Sequence, residues 1–366
     1  GAVFGDTYVE IKGGHILTSV YGGNELTDVG AYEGDGLTPI SGGKCTINMT
    51  GGTVGVPRTL EQITLHPVTC YLFGAGKGDQ RTFFNTWTNV ISAEVNITGN
   101  ARIYGSTFGG GEDGHIIGDA ETNIGGSVTI GETTHTHSNV VIGTCGTSYV
   151  DGSVFGGGRG FSGEALTAGS VGGNAEVNIE DGTMLGSVYG GGRLASVGVD
   201  FSSAQNASTG QFTEDDGVNT YGYVTINISG GTIGNSKEYI YNPTAEQKAA
   251  IPNTTFDYQN HLQYTKGGNV FTAGMGRLYA LDNTTALSSW QKLGQCKSTT
   301  LNMTGGTVKS SIYGGGEIGI VAQNATLNIN GGTVGTKVVD SEDETKYYYF
   351  GSVFGGGKGS TENIEG

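Results

Sequence analysis

Few residues in this 366-residue chain stand in a pattern that chemistry would need. His135-Thr-His137 would set two imidazoles on one side of an extended segment, the beginning of a metal pair. No third ligand stands near it, and Thr-rich loops hold such pairs by chance. The acidic stretches TEDDG (213–217) and SEDET (341–345) offer oxygen ligands for Ca²⁺ without EF-hand spacing, and GAGKGD (74–79) is a partial echo of a Ca²⁺-binding nonapeptide. Weak Ca²⁺ binding is the most these support, and no other cofactor is expected. Enzymes that cleave polysaccharides need paired carboxylates. Asp and Glu fall mainly in loops here, so no cluster is expected on one strand face of adjacent repeats. A GxSxG nucleophile motif is absent from the sequence.

One arrangement does recur. An aromatic residue stands before a run of small residues at Tyr21, Phe73, Phe108, Phe155, Tyr189, Phe271, Tyr313 and Phe354, as in GSVFGGG (152–158) and GSVYGGG (186–192). The residue before each ring is mostly apolar (Val20, Leu72, Thr107, Val154, Val188, Val270, Ile312, Val353), and the one before that is mostly Ser. Neighbours in a strand face opposite sides, so the apolar column is expected inward and the rings outward with the serines. Such a ladder has two readings. It is a platform for the apolar faces of sugar rings, or it is structural stacking sealed by a corner or by loops. After the glycines come Glu25, Lys77, Glu112, Arg159, Arg193, Met275, Glu317 and Lys358, with Arg277 two beyond Met275. Arg159, Arg193 and Arg277 have the fork that suits carboxylates and sulfates of an acidic glycan. The alternative is a column of solvated charges that discourages sideways aggregation. The run is not a phosphate loop, because the Lys-Ser/Thr ending and a following helix are missing.

The elements that must position these residues are legible from a second motif. YVEIKGGHI (8–16), TINMTGGTV (46–54), EVNITGNAR (94–102), SVTIGE (127–132), EVNIEDGTM (176–184), TINISGGTI (225–233), TLNMTGGTV (300–308) and TLNINGGTV (326–334) alternate apolar and polar residues and then reach glycine. Period-two alternation is a half-buried strand, and the glycines mark a corner before a second short strand. The outer face of the long strand has Glu10, Asn48, Asn96, Thr129, Asn178, Asn227, Asn302 and Asn328 at its centre, either a hydrogen-bonded ladder or a flat array for ordered water, ice or polysaccharide. The sequons at Asn48, Asn96, Asn227 and Asn302 follow from this patterning.

Spacing between successive aromatic positions runs from 34 residues (Phe155 to Tyr189) to 82 (Tyr189 to Phe271), so the motifs hold and the loops absorb the variation. The expected fold is all-β: one single-stranded parallel β-helix of about eight rungs over 1–366, roughly 40 Å long at ~4.8 Å per rung. Parallel crossovers are overwhelmingly right-handed, and that hand is expected here. The main insertions are expected at 56–69, 194–221, 235–267 and 278–297, with short helices in 242–252 and 283–294. The opening GAVFGD and the closing GSVFGGGKGSTENIEG read as parts of a repeat that continues, hence as a fragment of a longer protein.

Composition bounds the function classes. Gly is 70 residues and Pro only 5, without a Gly-X-Y period, which excludes collagen. A net charge of −16 argues against nucleic acid as a partner. Cys45, Cys70, Cys145 and Cys296 lack metal-ligand spacing and are expected as free thiols, with two disulfides as the alternative. No segment is apolar enough to span a membrane.

The chained NITGGTV…GSVYGGG units resemble the Gly-rich β-helix repeats of large bacterial cell-surface and secreted proteins, including adhesin-like proteins of gut bacteria. The resemblance covers nearly the whole chain. It implies a location outside the bacterial cell and a non-enzymatic structural or adhesive role. The partners expected are neighbouring rungs or other copies end to end, and glycans or a host surface. The alternative is a carbohydrate-binding or polysaccharide-cleaving β-helix, a lyase, hydrolase or tailspike-like protein.

Overall fold

The computed structural model describes residues 1–57, 70–79, 88–130, 133–135, 138–143, 152–160, 167–203, 206, 209–234, 240–241, 267–279, 285–287, 289–340, 343–345 and 347–359. It is an all-β chain dominated by three eight-stranded parallel sheets. Each successive rung gives one strand to each sheet in chain order, an arrangement consistent with a β-helix solenoid. The first sheet runs from Thr7–Ile11 through Lys44–Met49, Ser92–Ile97, Ala120–Ile124, Ala175–Ile179, Tyr223–Ile228 and Ser298–Met303 to Ala325–Ile329. The second takes two-residue strands after the first corner, from His15–Ile16 to Thr333–Val334, and the third holds the aromatic motif, from Val20–Tyr21 to Val353–Phe354.

Alternation sets what each sheet buries. Ile47 and Met49, Val95 and Ile97, Ile226 and Ile228 meet Val54, Ile103 and Ile233 of the second sheet and Val154, Val188 and Val270 of the third in one core. The apolar column before the rings is therefore inward, as the pattern predicts.

The fourth rung is a correction. The strand expected at 127–132 is instead Ala120–Ile124, paired with Glu94 at Glu121, Asn96 at Asn123 and Ile97 at Ile124. Val128–Ile130 folds antiparallel onto Thr133–His135 as an excursion from the rung. Two alternating stretches flank one Gly-Gly here, and the first keeps Asn and Ile in their columns at the cost of an inward Thr122, which is fully buried.

A further column was not expected. Residues beyond the glycines return as a fourth line of contacts: Asn89–Val90 pairs with His115–Ile116, and single bridges join Ile116 to Val171, Val171 to Val197 and Cys296 to Val321. With Cys45, Ala93, Ala120, Ala175 and Val224 they form a second buried cluster. The stretches 194–221 and 278–297, expected as insertions, thus supply Val197 and Cys296 to the body of the fold. A 3-10 helix spans Ser289–Lys292 and stops at Leu293 and Gly294, both with positive φ. The helix expected in 242–252 lies outside the described residues.

Candidate functional site: the aromatic–glycine column

The rings form a continuous stack. Centroids of successive rings from Tyr21 to Phe354 lie 4.6–5.2 Å apart with planes within 16° of parallel. Offset stacking of this kind adds to the gain from burial. The rings leave the inner core, as alternation predicts, and gather in a separate cluster with Tyr71 and Met275. They are not an open face. Phe73, Phe108, Phe155, Tyr189 and Phe271 have no exposed surface, Tyr21 and Tyr313 are half-buried, and only Phe354 in the eighth rung is exposed, at 45%. Of the two readings of the ladder, the burial of these rings fits the sealed stack and not the accessible platform. Tyr71 packs edge-on against Phe108 at 6.0 Å, and the Arg159 guanidinium lies 4.9 Å above Tyr71.

Polarity of the preceding residue suggested a wet face, and its hydroxyl has another use. Ser106 Oγ accepts the Ser153 backbone N–H at 3.1 Å, Ser153 Oγ accepts that of Ser187 at 3.1 Å, and Ser187 Oγ that of Asn269 at 3.2 Å. Asn269 Oδ1 passes the pattern to Ser311 and Ser311 Oγ to Ser352. Each hydroxyl thus satisfies an N–H of the next rung at a buried corner, where an unpaired N–H is costly.

Close approach explains the first glycine. A Cβ added to Gly22, Gly74, Gly109, Gly156, Gly190 or Gly314 would lie under 3.0 Å from a backbone carbonyl of the following rung, although none has a positive φ. The sixth rung admits Thr272, whose hydroxyl bonds to Thr299 at 2.9 Å.

The charged column is also corrected. It was expected to be solvated, yet Glu317 is buried, and Arg159 lies 3.6 Å from Glu112 with both side chains under a sixth exposed. Tyr21 donates its hydroxyl to Glu112, and Tyr189 donates to Glu317 Oε2 at 2.7 Å. Lys358 reaches Glu317 Oε1 at 3.0 Å, and Lys77 reaches Glu25 at 3.2 Å on the surface. Burial, then the Glu112 carboxylate, pushes the Tyr21 phenol up, so it stays a neutral donor. Arg193 and Arg277 are half-buried, and Arg159 and Arg193 sit side by side in this column through a backbone bridge.

On the first sheet the Asn column is a ladder joined to itself. Asn96 Nδ2 donates to Asn48 Oδ1, Asn123 to Asn96, Asn178 to Asn123, Asn227 to Asn178, Asn302 to Asn227 and Asn328 to Asn302, all at 2.8–2.9 Å. Asn123 occupies the place expected for Thr129. Beside it runs a feature the sequence reading missed: Glu94, Glu121 and Glu176 pair in register on adjacent rungs of the outer face. The expectation that no carboxylates line up on one face is corrected. The signal was the tetrapeptide ETNI at 121–124, which matches EVNI at 94–97 and 176–179. Lys44 lies 2.6 Å from Glu94 and, with Asn96, offsets the burial that opposes its charge; the net shift is downward.

The other candidates separate. His135 ends the strand Thr133–His135, but its side chain and all of His137 lie outside the described residues. In TEDDG, Asp216 accepts Val218 N, Asn219 N and Asn219 Nδ2, which hold its carboxyl down at about 2, and Asp215 accepts Lys297 Nζ at 2.8 Å. Those oxygens close a turn and a clip. Among the described residues no group of three or more His, Cys, Asp or Glu is placed to hold a metal, and no helix is long and apolar enough to cross a membrane. Cys45, Cys70 and Cys296 are buried thiols outside any disulfide, and Cys145 lies outside the described residues. No family model, curated protein or solved structure matches the chain.

Proposed function

We propose that the three sheets close into a right-handed parallel β-helix serving as a stiff, non-enzymatic structural or adhesive segment of a bacterial surface or secreted protein, able to stack end to end. The observation that carries this reading is how the recurring polar residues are used. The Asn amides, the Ser hydroxyls, the half-buried Glu112 and the buried Glu317 are each engaged with a neighbouring rung. Rung-to-rung contacts of this kind resist bending and shear, which a spacer needs and a flexible binding surface does not. Contact with glycans or a host surface then falls to the loops between motifs.

A second reading has one observation in its favour. Glu94, Glu121 and Glu176 stand one rung apart, so neighbouring carboxyls fall near the ~5 Å separation of a retaining glycosidase pair. Incubation with a panel of acidic and neutral polysaccharides, followed by assay for new chain ends, decides between them. The structural reading expects no product. Product formed by the native chain and lost in Glu121→Gln with Glu176→Gln would overturn it in favour of the enzyme.

A further inference from the structure

We infer that Asn330 is a site of spontaneous covalent modification, where its carboxamide closes on the Gly331 backbone nitrogen and the corner becomes aspartate or isoaspartate. This goes beyond the structural-segment reading and does not rest on it. At the first corner of the rungs a residue of varied type stands before a glycine, as in Lys12-Gly13, Thr50-Gly51, Ser229-Gly230, Thr304-Gly305 and Asn330-Gly331. The preceding rung imposes the glycine. A Cβ on Gly51, Gly230, Gly305 or Gly331 would lie 2.0–2.6 Å from the carbonyl oxygen of Lys12, Glu180, Ser229 or Thr304. The residue before it faces outward. Ser229 and Thr304 are exposed in the sixth and seventh rungs as Asn330 is in the eighth, so the exposure belongs to the column.

Asn330-Gly331 is the single Asn-Gly pair in the chain. Glycine has no side chain to shield its nitrogen, so a neighbouring carboxamide reaches it most easily there. Among the described residues, neither the Asn330 carboxamide nor the Gly331 N–H has a hydrogen-bond partner. Their counterparts are held. Gly51, Gly230 and Gly305 donate to Ile11, Ile179 and Ile228 at 3.3–3.4 Å. The ladder asparagines are tied along their column, and Asn328, two residues before Asn330, donates to Asn302 at 2.9 Å. The corner therefore sets a loose carboxamide beside a loose, unshielded nitrogen.

The reaction needs water alone. The Gly331 nitrogen bonds to Asn330 Cγ, the Cγ–Nδ2 bond breaks, and ammonia leaves with the nitrogen's proton, which closes a succinimide ring. Water then opens the ring. Attack at the side-chain carbonyl gives aspartate, and attack at the main-chain carbonyl gives isoaspartate, with the backbone routed through the former side chain. Either product adds a negative charge, and isoaspartate also lengthens the corner by one main-chain atom. That corner is pinned on both sides, by Asn330 N–H donating to Met303 O at 2.8 Å and Thr333 N–H donating to Gly306 O at 2.9 Å. The strand Thr333–Val334 beyond it is only two residues long, so the added atom loosens its pairing with Thr307–Val308.

Peptide mapping by mass spectrometry after storage of the full chain at pH 8 and 37 °C reads the conversion, with a protein isoaspartate methyltransferase to label the isoaspartate. Asn330 should convert at least tenfold faster than Asn178, Asn227 or Asn302, with isoaspartate among its products. Conversion no faster than in the ladder would overturn the inference. So would conversion to aspartate alone, which is direct hydrolysis without the ring. Hydrogen exchange at Thr333 and Gly335 should be at least tenfold faster in the stored chain than in Asn330→Thr, which has the seventh rung's residue at this place, stored the same way. Equal exchange in the two would overturn the loosening.

Discussion

Asn178 donates one side-chain hydrogen bond to Asn123 and receives one from Asn227, both at 2.8 Å. An amide with a donor at one end and an acceptor at the other suits a column in which every rung must present the same residue to both neighbours. Ionised Asp, an acceptor alone, lacks that polarity. Asn178→Ala breaks both bonds, leaves Asn123 Oδ1 without its donor and leaves Asn227 Nδ2 only its 3.1 Å bond to Glu176 Oε1 in a half-buried row, so it should cost about 1–3 kcal/mol. Asn328→Ala, exposed in the eighth rung with a single bond to Asn302, should cost less than half as much. Urea midpoints of the two variants measure the difference. Equal losses would mean that local strand propensity, rather than the ladder, is what Asn contributes.

At the scale of the element, His115 is the informative residue of the fourth column. It is fully buried and stacks on Phe201 at a centroid distance of 4.9 Å, with Nδ1 3.1 Å from Asn89 Oδ1. Asn89 Nδ2 donates to Gly36 O at 2.9 Å, which turns Asn89 Oδ1 toward the imidazole. Burial pushes its pKa down from 6.5 to about 4. The unfolded chain therefore takes up a proton between those values that the folded chain refuses. Stability is highest above pH 6.5, falls as the pH drops toward 4, and by this group alone loses about 3 kcal/mol. His115→Gln should flatten that slope in urea titrations at pH 7.5, 5.5 and 4.5, and a slope as steep as the native one would assign the loss to other groups. This column also marks where the sequence stopped being readable. Long strands such as TINMTGG announce themselves through alternation followed by glycine, and the aromatic motif locates the third sheet. Val29 and Val171 sit singly among polar residues and glycines, and one apolar residue has no period to detect. The two readings of the rings stayed open in the sequence for a related reason. The serine beside each ring has the composition of a wet face, and only the three-dimensional rung spacing shows that its hydroxyl serves the next backbone N–H.

At the scale of the whole molecule, the described rungs make a stack in which each is stabilised by the two beside it, so stability is a sum over neighbours and not a property of one centre. The middle rungs have both neighbours. Val95, Ile97, Val177, Ile179, Val188 and Phe271 lie within two percent of full burial. Among the described residues the eighth has one neighbour, and its Ile329, Val353 and Phe354 are exposed. Opening an edge rung breaks one interface, whereas opening a middle rung requires two to be broken or everything beyond it to be released first. Hydrogen exchange followed by mass spectrometry should therefore find Ser92–Ile97 and Ala175–Ile179 the slowest strands and Ala325–Ile329 faster by at least two orders of magnitude in the monomer. Uniform protection along the monomer would instead mean that the stack opens as one cooperative unit. The glycine corners and stacked rings would then couple all eight rungs more tightly than a nearest-neighbour chain allows.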